Sequence, residues 1–173
     1  PENPLIEGLA DRLRAAGIAV FGPGAAGAQL EGSKAFSKEL MRAAGIPTAE
    51  FETFTDAASA KAFARRRIER VGGVAVKASG NALGKGVVLC RTAEESDDAL
   101  DAMMVERQFG DAGATVVVED LLNGREFSLL TVVSGREYRS LPVAQDYKRA
   151  LDGDRGPNTG GMGSYSPVSW VSE

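Results

Sequence analysis

Apolar residues recur along this chain with two different periods, and each period predicts its own kind of element. Leu5, Ile6, Leu9, Leu13 and Ala16 stand at helical spacing, with Gly17 as a stop before an apolar run at 18–21 that reads as a strand. A lone helix and a lone strand cannot cover each other's apolar faces, so residues 1–24 are expected to be the tail end of a preceding α/β domain. Ser33 to Ala44 is the next helix: Phe36, Leu40, Ala43 and Ala44 share a face, Ser33 or Gly32 caps the start, and Gly45 with Pro47 ends it. Thr53-Phe-Thr55-Asp56 opens a third helix that runs to about Arg70 through Ala60, Phe63, Ala64 and Ile68; its arginines Arg65, Arg66, Arg67 and Arg70 read as a solvated face.

The period then changes. Val74 to Val76 and Val87 to Leu89 are β-branched runs on either side of a glycine-rich bend, which predicts a hairpin. Thr92-Ala-Glu-Glu95 has the form of a capping box and should open a helix reaching about Met103, with Ala99, Leu100, Met103 and Met104 turned inward. The runs 115–122, 126–133 and 138–143, separated by Asn123-Gly124 and Ser134-Gly135, predict an antiparallel meander.

Composition narrows the chemistry. The chain has 173 residues, 43% of them hydrophobic, enough to bury a real core. A net charge of -4 argues against a general nucleic-acid or anionic-membrane surface, and therefore for a small anionic ligand held by local cations. The single Cys90 excludes an internal disulfide, and the absence of histidine excludes His-based triads and disfavours a zinc site. No signal peptide or membrane-length apolar run is visible, and the chain opens without methionine, so it reads as a cytoplasmic protein seen in part.

Cations and glycines coincide in the predicted hairpin. Lys77 and Lys85 could supply countercharge while Gly80, Gly84 and Gly86 let backbone N–H groups approach an anion. The stretch is not a P-loop, because only three residues separate Gly80 from Gly84, Gly86 stands where Ser or Thr should be, and a strand follows. An ordinary hairpin with solvated lysines fits these residues equally well. Gly22-Pro-Gly24-Ala-Ala-Gly27 matches a dinucleotide fingerprint by letters, but Gly32 cuts the following helix short, and a domain-boundary turn is the better reading. Lys34 opposes the dipole of its helix unless an anion meets it there; the plainer reading is an exposed lysine. Glu119, Asp120 and Glu126 mark either a polar-ligand edge or solvated strand ends. The segment 145–167 mixes Asp146, Lys148, Arg149, Asn158 and Thr159 with many glycines, and a loop of that kind is ordered more readily by a polar substrate than by packing.

Taken together, Leu30-Glu-Gly-Ser-Lys34, Val76-Lys77, Gly84-Lys85-Gly86-Val87, Phe109-Gly-Asp-Ala-Gly113, Val118-Glu119-Asp120, Asp146-Tyr-Lys148-Arg149 and Gly156-Pro-Asn-Thr-Gly-Gly-Met-Gly163 closely resemble the phosphoribosylamine-glycine ligase (glycinamide ribonucleotide synthetase) family of the ATP-grasp superfamily. The resemblance runs from the first residues to the last and implies an α+β ATP-grasp fold with antiparallel sheets. Its parts would be 1–24, the end of a preceding domain; 25–73, a first ATP-grasp part with linker helices; 74–122, the lid subdomain with the glycine loop; and 123–173, the start of a second subdomain. It implies ATP and Mg2+ as cofactors and glycine and 5-phosphoribosylamine as substrates, with no nucleic-acid or membrane partner. Lys34 and Lys77 match phosphate-contacting lysines, and Gly80, Gly84, Lys85 and Gly86 a mobile loop. Glu119, Asp120 and the backbone of Leu122 match an adenine-reading hinge, and Glu126 a ribose carboxylate. Asp146, Lys148, Arg149, Asn158, Thr159, Gly160, Gly161 and Met162 match the substrate side, with Lys77, Lys148 and Asn158 as candidate catalytic groups.

Ser79, Asn81 and Tyr147 depart from the family pattern. No metal ligand is assigned within the chain: the family's metal-binding Glu and Asn would lie beyond it, which predicts that this piece alone is inactive. The alternatives are another ATP-grasp carboxylate-amine ligase or a non-catalytic ATP-binding module.

Overall fold

The structure, a computed structural model, describes residues 2–82, 86–153 and 155–171. It divides into two compact units, residues 1–122 and 123–173.

The first unit is organised by one short strand. β4 (Val116–Asp120) is deeply buried, with Val116, Val117 and Val118 all fully enclosed. A strand apolar on both faces must be covered on both and flanked on both edges. β4 accordingly lies between β1 (Phe51–Phe54) and β2 (Val74–Ala78), and β2 carries β3 (Val87–Cys90) on its far edge, giving the antiparallel order β1-β4-β2-β3. The register is Phe51↔Glu119, Ala75↔Glu119 and Lys77↔Val87. The predicted 74–89 hairpin is therefore present, and its second run is a strand, as the rejection of a P-loop requires. The predicted 115–143 meander is not: β4 belongs to this sheet, and the later runs form their own. β1 itself falls where the sequence pattern led straight into a helix.

One face of the sheet makes the core. Val74, Val76, Ala78, Val116, Val118 and Cys90 alternate onto that side and meet Ala60 and Ala64 of α5 (Ala57–Val71) and Ala99 and Leu100 of α6 (Ala93–Leu100). Asp56 caps α5 by accepting from the Ser59 N–H at 2.8 Å. Thr92 and Glu95 form the predicted capping box of α6, and a π-helical turn, Asp101–Val105, extends it to bury Met103. Arg65, Arg66 and Arg70 of α5 are exposed, as a solvated face requires, although Arg65 pairs with Asp97; Arg67 departs from that pattern, being drawn in to pair with Asp120 through both carboxylate oxygens.

The N-terminal helix is two helices, α1 (Asn3–Ile6) and α2 (Leu9–Ala15), separated by Gly8 in the left-handed region at φ 84°. Residues 18–21 form no strand; Ile18 and Phe21 are exposed, and a strand needs a ladder partner that the described residues do not offer. α3 (Ala25–Gly32) has its N-terminus filled from within, since Asp11 Oδ2 accepts from the Ala25 N–H at 2.7 Å. That carboxylate stands where a pyrophosphate would lie, in keeping with the rejected dinucleotide reading. α4 (Lys34–Ala43) follows, capped by Ser33.

The second unit holds two hairpins, β5 (Thr131–Ser134) with β6 (Glu137–Ser140) and β7 (Gln145–Leu151) with β8 (Arg155–Tyr165). The stretch read as a glycine-dense loop is thus an antiparallel pair with register shifts around Arg149. Its glycines hide the alternation by which strands are recognised. Tyr147 stacks on Tyr165 at 5.7 Å, and Gln145 Oε1 accepts from the Tyr165 hydroxyl at 2.6 Å.

Candidate functional site

The strand period that sends valines into the core sends Phe51, Thr53, Ala75, Lys77, Val117 and Glu119 to the other face of the first sheet. α4 packs there. Glu119 is buried, and each of its oxygens takes a lysine: Oε1 pairs with Lys77, and Oε2 with Lys38 at 2.8 Å. Lys38 is itself buried. Its Nζ also donates to Thr48 Oγ1 at 2.5 Å and to the Ala49 carbonyl at 3.0 Å, and it lies 4.7 Å above the Phe51 ring. A lysine so enclosed is tolerated because its charge is paired and its donors are used.

Lys34 enters the same cavity from the first turn of α4. Its side chain donates to the Gly80 carbonyl at 3.4 Å. Burial lowers its pKa below the ordinary lysine value; Glu31 acts against this and Lys77 adds to it. The cavity is about 200 Å³ and is walled by Leu30, Glu31, Ser37 and Val117 besides Lys34, Lys38, Lys77 and Glu119. A partly desolvated cation near a second cation is a site that an anion would relieve.

The hairpin end is stitched to this helix. Ser79, one of the departures from the family pattern, is buried; its hydroxyl accepts from the Ala35 N–H at 3.0 Å and its carbonyl from the Lys34 N–H at 2.8 Å. Ser33 and Ser79 thus satisfy the first donors of α4 together. Asn81 donates to Asn3 Oδ1 at 2.7 Å. Gly80 has to be glycine, because a Cβ there would fall 2.7 Å from Ala112 Cα. Gly86 accepts from the Ala78 N–H at 2.8 Å. Gly84 and Lys85, on which the mobile-lid expectation rests, lie outside the described residues.

The other candidates are not among the residues that wall this cavity. Asp120 projects to the opposite face of the sheet from Glu119, into its pair with Arg67, so its side chain does not share the lysine cavity. Leu122 is exposed at the end of the first unit, and Glu126 is exposed in the second. Asp146 pairs with Lys148 at 2.7 Å, and that hydrogen bond holds its carboxyl below the usual range. Arg149 donates to the Gly156 carbonyl at 2.7 Å, and Thr159 Oγ1 accepts from the Gly161 N–H at 3.0 Å. Gly160 and Met162 are exposed on β8. The backbone of Asn158 lies opposite Arg149, while its side chain is outside the described residues. Among the described residues no group of three or more metal-ligating side chains lies together.

The residue that the sequence pattern missed is Lys38. It stands four residues after Lys34, one helical turn on, and that i,i+4 spacing was the available signal.

The chain matches the family "Phosphoribosylglycinamide synthetase, ATP-grasp (A) domain" over residues 32–173. It belongs to that family. The phosphoribosylamine-glycine ligase of Listeria monocytogenes serovar 1/2a is 53% identical over 173 residues, covering 100% of this chain and 40% of the relative. The chain thus spans about 40% of the length of the curated relatives it matches. The crystal structure of phosphoribosylamine-glycine ligase from Thermotoga maritima superposes with a TM-score of 0.76 at 41% identity, over 86% of this chain and 37% of that one. The biotin carboxylase domain of a Hydrogenobacter thermophilus 2-oxoglutarate carboxylase, solved with MgADP, ADP and bicarbonate, gives 0.62 at 26% identity, over 81% and 31%. The fold is α+β ATP-grasp, and the (A)-domain match includes α4, the whole first sheet and the second unit. No described helix is long and apolar enough to cross a membrane.

Proposed function

We propose that this chain carries the triphosphate-holding face of a ligase that joins glycine to 5-phosphoribosylamine and converts ATP to ADP and phosphate. Family membership supports the reaction class. The observation that carries the reading is the convergence of Lys34 and Lys77 in one cavity at the start of α4. In this account Lys34 and Lys77 meet the β- and γ-phosphates. Glu119 stands beside them between Lys38 and Lys77, and the backbone of 120–122 reads the base while Glu126 holds the ribose.

The chemistry needs no protein nucleophile. A carboxylate oxygen of glycine attacks the γ-phosphorus, the bond to the ADP oxygen breaks, and glycyl phosphate forms; the sugar amine then attacks the acyl carbon, phosphate departs, and the amine gives up a proton. Lysines placed where negative charge builds lower both barriers. Magnesium, when bound, would neutralise phosphate charge; we place its ligands outside the described residues, together with part of the nucleotide contacts. Asp146, Lys148, Arg149 and residues 158–162 of the second unit are assigned to the glycine and sugar-phosphate side, and the enzyme to the cytoplasm.

The test is ADP release by the full-length protein. It should require both glycine and 5-phosphoribosylamine, and Thr159→Ala should impair that turnover while ATP binding persists. ADP release driven instead by another carboxylate would indicate a different ATP-grasp ligase, and ATP binding without turnover a non-catalytic module; either would overturn the proposal.

A further inference from the structure

Glu119 is a buried carboxylate shared between two lysines that differ in what else holds them. Lys38 is fixed by Thr48, Ala49 and the Phe51 ring as well as by Glu119. Lys77 is the more exposed of the two, projects into the cavity beside Lys34, and has its ion pair with Glu119. If Lys77 is to meet a phosphate, it must loosen its hold on Glu119. With no second cation, that move would strand a carboxylate whose side chain is only 11% exposed, and an unpaired buried charge is strongly unfavourable.

We infer that Lys38 is a positioning residue: it keeps Glu119 paired while Lys77 passes from Glu119 to the nucleotide phosphates, and so makes Lys77 available. This rests on the reading of the cavity as the phosphate site. The geometry suits the task, because the two lysines use different oxygens of Glu119, so that one pair can open while the other stays closed. Lys38 touches no phosphate in this account and acts through Glu119. Its ties to Thr48 and Ala49 also offer a competing role, in which it only pins the turn between α4 and β1.

A double-mutant cycle on ADP affinity in the full-length protein, read by calorimetric titration, separates the two roles. Lys38→Met should weaken ADP binding by about tenfold or more, because Glu119 then holds Lys77 as its last partner. In a Glu119→Gln background the same change should alter affinity by less than about twofold, because no buried carboxylate remains to be left unpaired. Equal losses in the two backgrounds would show that Lys38 pins the turn and nothing more, and unchanged affinity in Lys38→Met alone would show that Lys77 needs no release; either overturns the inference. Lys38→Arg, which keeps the charge, guards against a Met variant that fails to fold: affinity within about threefold of wild type supports the inference, and a loss as large as that of Lys77→Met contradicts it. Should Lys77→Met itself leave ADP affinity unchanged, it is the phosphate-site reading that falls.

Discussion

The two faces of the first sheet are made by alternate residues of the same strands, and their physics is opposite. Towards α5 and α6, Val74, Val76, Val116 and Val118 are fully enclosed among apolar partners. Towards α4, the same β2 and β4 present Lys77 and Glu119, with Lys38 and Lys34 facing them across a cavity. β4 shows the contrast within two consecutive residues, since Val118 is core and Glu119 is site. A slip of one residue in its register would exchange them, placing a carboxylate among valines and a valine among lysines. The apolar face fixes the register, and the register places the charges. In the proposed reading, stability and ligand recognition are thereby assigned to separate sides of a single element, and each can be attacked alone.

Removing packing from the apolar face should have the largest effect. Leu100 is fully buried against the sheet, and Leu100→Ala should cost about 2–5 kcal/mol of stability in denaturant titration. The protein that remains folded should bind nucleotide within about twofold of wild type, since no charge has moved. A matching loss of affinity in the folded fraction would dissolve the separation between the faces.

A smaller effect is expected at the helix pair that covers the apolar face. The hydrogen bond from Arg65 holds the Asp97 carboxyl below its ordinary value. As pH falls the unfolded chain takes up this proton first, so the contribution is fully present above about pH 4–5 and is lost as pH drops through the lowered folded value. The unfolding midpoint should therefore fall on acidification, and Asp97→Asn should shallow that fall slightly. A steeper acid loss in the variant would contradict the sign. The pair is exposed on the Arg65 side, so its share is modest.

What the sequence disclosed follows the range of each interaction. α5, α6 and the β2–β3 hairpin announce themselves through caps, periodicity and turn glycines that act within a few residues. β1 does not. Its four residues become a strand because β4, more than sixty positions away, offers an edge, and the Asp56 cap just after it draws the eye towards a helix. The unbroken valines of β4 did carry a signal, being a pattern typical of a central strand covered on both faces rather than of the first strand in an open meander. In the site, Lys34, Lys77 and Glu119 were found through motif resemblance, and the fold brings these three together. Lys38 escaped notice because polar residues on an amphipathic helix are assigned to solvent by default. Here the apolar Phe36 and Leu40 of α4 are exposed, and the buried residue is a lysine. Only the carboxylate opposite makes that inversion intelligible.

The most direct test of the charged face is the rise in unfolding midpoint that saturating ATP gives to the full-length protein carrying Lys34→Gln and Lys77→Met. Burial lowers the Lys34 pKa, so the native state binds that proton less readily than the unfolded chain does, and at neutral pH this charge costs the native state stability. Neutralising Lys34 should not itself lower the nucleotide-free midpoint, and Lys77→Met leaves Glu119 paired with Lys38. The account predicts a nucleotide-free midpoint within a few degrees of wild type and loss of most of the ATP-induced rise, corresponding to a fall in affinity of about a hundredfold. A double variant that ATP stabilises as strongly as wild type would show that the phosphates are held elsewhere.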